Sequence, residues 1–154
     1  MLITLQDFLA DATPKAAADL AEALGRIPEN KRAWSTGGNA RTALDQVAEC
    51  ALLTGYTAEL IQTRTWSTRN FDEYVPRKEA LIASGWDALR TRLQENAHLA
   101  ATAIRAVPTE ALSEEIEMPF GKQTVVSILA YPYWNMTYHL GQINGIASLL
   151  GVSL

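Results

Sequence analysis

The segment WNMTYHLGQI, residues 134 to 143, mixes polar and apolar side chains in a pattern that can support chemistry. Asn135 and His139 are four residues apart and Gln142 follows three later, so on one helix all three point to nearly the same side. Burying such groups costs free energy unless each has a partner. Pro132, one turn before Asn135, removes a backbone hydrogen bond and can bend the helix there. The pattern indicates a small polar site on an otherwise apolar helix face.

The spacing alone leaves two readings of His139 open. A histidine on an apolar helix face is more often a hydrogen-bonded core residue than a ligand, and this chain lacks the His-x-x-x-His spacing that would be a stronger metal signal. His98, the other histidine, is expected at the surface or the end of a helix. Cys50 is expected to be a small packing residue, since the neighbouring Glu49 disfavours a thiolate.

Four segments with helical apolar spacing must position these residues, and glycine and proline punctuate the chain between them. We expect helices at residues 5–24, 40–63, 76–106 and 124–150. Pro14 predicts a break near the start of the first, because proline is tolerated only in the first turn of a helix. Asn39 is a candidate N-cap of the second, and Gly151 a natural end of the fourth.

A short irregular stretch separates the last two helices. Ile116 and Met118 alternate with glutamates and predict a brief strand, followed by a turn at residues 119–121. Four helices with fairly short connections predict an all-α, up-and-down antiparallel four-helix bundle.

Composition narrows the class of protein. A chain of 154 residues predicts a single domain spanning residues 1–154. The net charge of −4 and the absence of a basic run argue against nucleic-acid binding. A single cysteine fits a reducing cytoplasm, residues 1–14 do not resemble a signal peptide, and no apolar run predicts a membrane span.

The segment YWNMTYHLGQINGIASLLG resembles the last-helix signature of the DinB-like (YfiT-like) superfamily, most specifically at YHLGQI, residues 138–143. Three other features agree in order along the chain: a tryptophan before a loop rich in Ser and Gly in AWSTGGNAR, Arg41 at the start of the second helix, and Pro119-Phe120-Gly121 before the last helix. The resemblance implies a bacterial four-helix bundle with a candidate metal site.

Members of that superfamily commonly hold nickel or zinc with three histidines, two on the last helix and one on the second. His139 matches one of them, while Asn135 stands where another is expected. The second-helix position falls at Glu49, with Gln46 and Asp45 as alternative registers. The resemblance thus implies a divalent-metal site of His139, Asn135 and Glu49, weakened or lost because two of the three histidines are replaced.

The remaining expectations concern the pocket and its use. Gln142, Tyr56, Arg41 and Trp134 are candidates to line it. The substitutions favour a degenerate site that binds a small molecule or belongs to a non-catalytic relative; the alternative is a metal-dependent transferase, hydrolase or isomerase that uses a low-molecular-weight thiol. Four tryptophans in so small a chain, together with the pairing common in that superfamily, predict a homodimer.

Overall fold

The computed structural model describes residues 2–153. Within this range, six α-helices and a two-stranded antiparallel hairpin follow one another along the chain. They are α1 Leu5–Arg26, α2 Ala43–Thr63, α3 Thr68–Asp72, α4 Tyr74–Ala83, α5 Trp86–Arg105, β1 Glu115–Met118, β2 Gly121–Thr124 and α6 Val125–Leu149. The four long helices confirm the predicted bundle, and α3, α4 and the hairpin lie outside it.

The order of the helices around the bundle differs from their order in the chain. Helix α1 packs on α5 and α6, and α2 packs on the same two helices, whereas the α1–α2 and α5–α6 pairs make far fewer contacts. The first two long helices, α1 and α2, are therefore diagonal to one another, and so are the last two, α5 and α6. The core between them is built from completely buried aliphatic residues, among them Leu20, Leu24, Leu93 and Ile143.

Two predicted boundaries were wrong for physical reasons. Helix α1 continues through Pro14 without a break. The Thr13 hydroxyl donates to the Leu9 carbonyl over 2.7 Å, and the buried face around it packs in the core. Conversely, the predicted third helix is split in two. Gly85 adopts φ +92°, which a residue with a side chain rarely adopts, and it separates α4 from α5.

The boundaries next to the candidate site are set by capping. Thr42, not Asn39, caps α2, because its hydroxyl accepts a hydrogen bond from the backbone N–H of Asp45. Thr124 caps α6 in the same way through Ser127. The predicted strand at Ile116 is present and pairs with a second strand that the sequence did not reveal. Among residues 2–153, no helix combines the length and the apolar character needed to cross a bilayer.

Candidate functional site

Helices α2 and α6 bring Glu49 and His139 into direct contact. His139 is almost fully buried, and its Nε2 lies 3.0 Å from Oε1 of Glu49. Its other ring nitrogen, Nδ1, lies 2.8 Å from Oε1 of Gln46 and 2.9 Å from Oε1 of Gln142. All four residues therefore meet at one point between the two helices.

Two glutamine side chains hold the Nδ1 edge of His139. Gln46 donates through Nε2 to the Arg41 carbonyl and Gln142 donates through Nε2 to the Tyr138 hydroxyl, so both amide oxygens face Nδ1 as acceptors. The opposite edge of the ring, Nε2, faces the Glu49 carboxylate. The imidazole is therefore fixed in orientation by protein partners on both sides.

The second oxygen of Glu49 is held by Arg41. The guanidinium donates to Oε2 of Glu49 over 2.5 Å and to Oδ2 of Asp45 over 2.6 Å, and Lys78 pairs with the other oxygen of Asp45. Burial raises the pKa of Glu49, but its hydrogen bond with His139 and the charge of Arg41 outweigh that and lower the pKa to about 2. Arg41, Glu49 and His139 form a chain of hydrogen bonds, called here the Glu49 cluster.

Other predicted site residues lie apart from this cluster. Asn135 is buried on α6, but its amide donates to the sulfur of Cys50, 3.7 Å away. Burial and the Glu49 charge raise the pKa of Cys50, so its thiol is a neutral packing group. Trp134, which was predicted to line the pocket, is 56% exposed and stacks on Tyr138. His98 is exposed on α5.

A cavity of about 540 Å³ begins at Glu49 and follows α2 towards its C-terminal end. We call it the aromatic cavity, since six aromatic side chains line it: Tyr56, Trp66, Phe71, Tyr74, Phe120 and Tyr131. Leu53, Leu60, Met118 and Ile128 complete its apolar wall. Of the residues predicted to form a site, Glu49 and Tyr56 line this cavity, whereas Arg41, Asn135, His139 and Gln142 lie behind its polar end.

Tyr74 connects the cluster to the cavity. Its hydroxyl donates to Oε2 of Glu49 over 3.3 Å, and its ring lines the cavity wall. Burial and the charge of Glu49 raise the pKa of Tyr74, and the same two causes raise that of Tyr131 to about 12. Both phenols are thus neutral hydrogen-bonding groups at the polar end.

Most of the cavity wall was missed by the sequence reasoning. Trp66, Phe71 and Phe120 come from the α2–α3 connection, a five-residue helix and the hairpin turn, none of which carries an apolar periodicity. The available signal was an aromatic residue in each of three short segments around turns, where apolar side chains are usually scarce.

The side chains of His139, Asn135 and Glu49 do not fit the metal centre that the resemblance implies. No group of three or more His, Cys, Asp or Glu side chains within residues 2–153 is arranged to hold a metal ion. A ligand imidazole must lose its proton at the metal-binding nitrogen, but Nε2 of His139 is needed as a donor to Glu49. The Arg41 charge on the same carboxylate opposes a second cation. The other two positions of the implied site are occupied by Glu49 and Asn135 in place of histidine. Their side chains bond to Arg41 and to Cys50.

Comparison with known proteins supports the fold. No family model and no curated protein matches the sequence. The solved structure of YfiT from Bacillus subtilis matches with a TM-score of 0.74 over 96% of this chain and 89% of that one, at 16% sequence identity. That protein is described as a probable metal-dependent hydrolase with an unusual four-helix bundle topology. The present chain therefore shares the four-helix bundle fold of YfiT.

Proposed function

We propose that this protein binds a small organic molecule in the aromatic cavity and that the Glu49 cluster is the fixed polar end of that cavity. The observation that supports this proposal is the cavity itself. Its volume of about 540 Å³ lies in the range of small-molecule sites, and its lining is mostly apolar and aromatic with a few polar groups.

The Glu49 cluster supports binding more than catalysis. Both carboxylate oxygens of Glu49 and both ring nitrogens of His139 already have protein partners. A general base works best with a pKa near the operating pH, and despite its burial the hydrogen bond with His139 and the charge of Arg41 lower the pKa of Glu49 to about 2. Tyr74 is the group that both touches Glu49 and lines the cavity, so it supports an orienting hydrogen bond to a ligand.

The alternative function is a metal-dependent transferase, hydrolase or isomerase that uses a low-molecular-weight thiol. The fold shared with YfiT and the contact of His139 with a carboxylate favour it. Titration of the protein, purified without a metal-affinity tag, with nickel in a calorimeter separates the two functions. Weak or undetectable binding supports the cavity proposal, whereas tight binding of one ion per chain would favour the alternative.

The cavity is tested directly with an uncharged fluorescent probe, N-phenyl-1-naphthylamine. We expect saturable binding of one probe per chain to the unmodified protein and its loss in Leu53→Trp, which fills the cavity from α2. Leu99→Trp is the matched control, because Leu99 is 54% exposed on α5 and away from the cavity. Circular dichroism confirms that both variants are folded. Equal binding by the two variants, or no binding by the unmodified protein, would contradict the proposal.

A further inference from the structure

The charged groups of the aromatic cavity all have one sign. Glu49 and Glu59 line it, and no Lys, Arg or His is among its lining residues within 2–153. Arg64, which ends α2 close to Glu59 in the chain, is not part of the lining either. A cavity with carboxylates and no basic group on its wall disfavours an anionic ligand.

The Glu49 end of the cavity is already neutralised. Arg41 pairs with Glu49, and Lys78 lies 5.2 Å from the ring centre of Tyr74, whose hydroxyl bonds to Glu49. Lys78 does not line the cavity. The protein thus supplies its own positive charges at this end.

At the Glu59 end, the amide of Asn70 separates the carboxylate from the nearest cation. Asn70 donates to Glu59 over 2.8 Å and accepts from Arg77 over 3.1 Å, and no Lys or Arg within residues 2–153 is at ion-pair distance from Glu59. Trp66 lines the same cavity, and its ring centre lies 5.5 Å from that of Phe120 and 6.4 Å from that of Phe71. Phe120 and Phe71 are 67% and 70% exposed, so their faces are open.

We propose that the aromatic cavity takes a hydrophobic organic cation, an amine or quaternary ammonium group carried on an aliphatic or aromatic body. This inference rests on the proposed function and names its ligand class. The charge lies against the rings of Trp66, Phe71 and Phe120 beside Glu59, where ring faces and a carboxylate both attract a cation. The body lies along Leu53, Leu60 and Ile128 towards Glu49, a distance of roughly 15 Å for ten residues of helix.

Three probes with one chain length test the charge: octyltrimethylammonium, octan-1-ol and octanoate, titrated separately by calorimetry. We expect the cation to bind about tenfold more tightly than the alcohol, and the carboxylate most weakly. Glu59→Gln keeps the size of the side chain and should weaken cation binding about threefold without changing alcohol binding. Trp66→Leu should weaken cation binding about tenfold.

Glu95→Gln is the matched control, since Glu95 is an exposed glutamate on α5 outside the cavity, and it should leave all three affinities unchanged. Alcohol or carboxylate binding as tightly as the cation, or an unchanged preference in Glu59→Gln, overturns the ligand class. If the neutral fluorescent probe still binds and Leu53→Trp still blocks it, the cavity function survives that failure. If no probe binds, both proposals fail together.

Discussion

Two regions along α2 differ in how their polar groups find hydrogen-bond partners. In the Glu49 cluster, each charged side chain meets a protein partner across to α6 or along α2. Eleven residues further on, near Leu60, the same helix borders a cavity with open aromatic faces and a carboxylate that has only a neutral partner. The first region is complete without a ligand, whereas the second has surface left to be covered. The difference separates a stabilising polar network from a binding site.

The largest expected effect comes from removing the central carboxylate of the Glu49 cluster. Glu49→Ala leaves the buried His139 ring and the Tyr74 hydroxyl without their shared partner, so we expect it to lower the free energy of unfolding by about 2–3 kcal/mol, less than for a fully buried pair because Arg41 reaches solvent. Urea denaturation measures this. Glu95→Ala should change it by less than about 0.5 kcal/mol. Equal effects would mean that the cluster contributes no stability.

The second test changes the Glu49 cluster into a site that has room for a metal ligand. Asn135→His restores a His-x-x-x-His pair on α6, and adding Glu49→His removes the partner of Arg41 and completes three histidines. Nickel affinity should rise in two steps, by about a hundredfold in total, and bound nickel should raise the melting temperature. Calorimetric titration of the three forms measures the affinity. No gain in the double variant would show that positions 49, 135 and 139 do not face one ion.

The side of α2 that faces Asn96 provides a third test, because it has no space for an added side chain. A Cβ at Gly55 would lie 2.6 Å from Nδ2 of Asn96, whose amide donates to the Ala51 carbonyl. Gly55→Ala should therefore lower the free energy of unfolding by about 1–2 kcal/mol despite the better helix propensity of alanine. Gly145→Ala on α6 meets nothing within 4 Å and should raise it by about 0.5–1 kcal/mol. Thermal denaturation of both variants decides whether the signs differ.

The smallest effect is expected at the exposed aromatic stack on α6. Trp134 and Tyr138 stack with ring centres 5.6 Å apart and are more than half exposed, so they are the candidates to carry the predicted homodimer. Trp134→Ser should weaken self-association about tenfold, as measured by sedimentation equilibrium. A monomeric unmodified protein at tens of micromolar concentration would contradict the dimer itself.

The bundle could be predicted because it depends on local periodicity. The resemblance implied that Glu49 and His139 share one site, and their side chains are 3.0 Å apart. Asn135 is on the same helix face, one turn earlier, yet it meets Cys50 instead. Spacing defines the direction of a side chain, but its partner depends on which residue of the opposite helix lies at that level.

The aromatic cavity could not be predicted because its wall is assembled from segments far apart in the chain. Leu53 and Ile128 lie on long helices, while Phe71 and Phe120 belong to elements of five residues or fewer and to a turn. Gly85 had the same effect on the helix boundaries, since its positive φ depends on how α4 and α5 pack. Short elements take their conformation from tertiary contacts, which one sequence does not display.

The diagonal placement of α1 and α2 has a consequence for how the chain folds. Helix α1 cannot form a paired unit with α2 and must find α5, which starts sixty residues after α1 ends, and α6. Closing such long loops delays the stabilising contacts, so folding should be slower than in a bundle of sequential hairpins. A fragment that ends at Thr63 would contain two helices with little shared surface. During synthesis, α1 therefore has to wait for more than half of the chain before it acquires a partner.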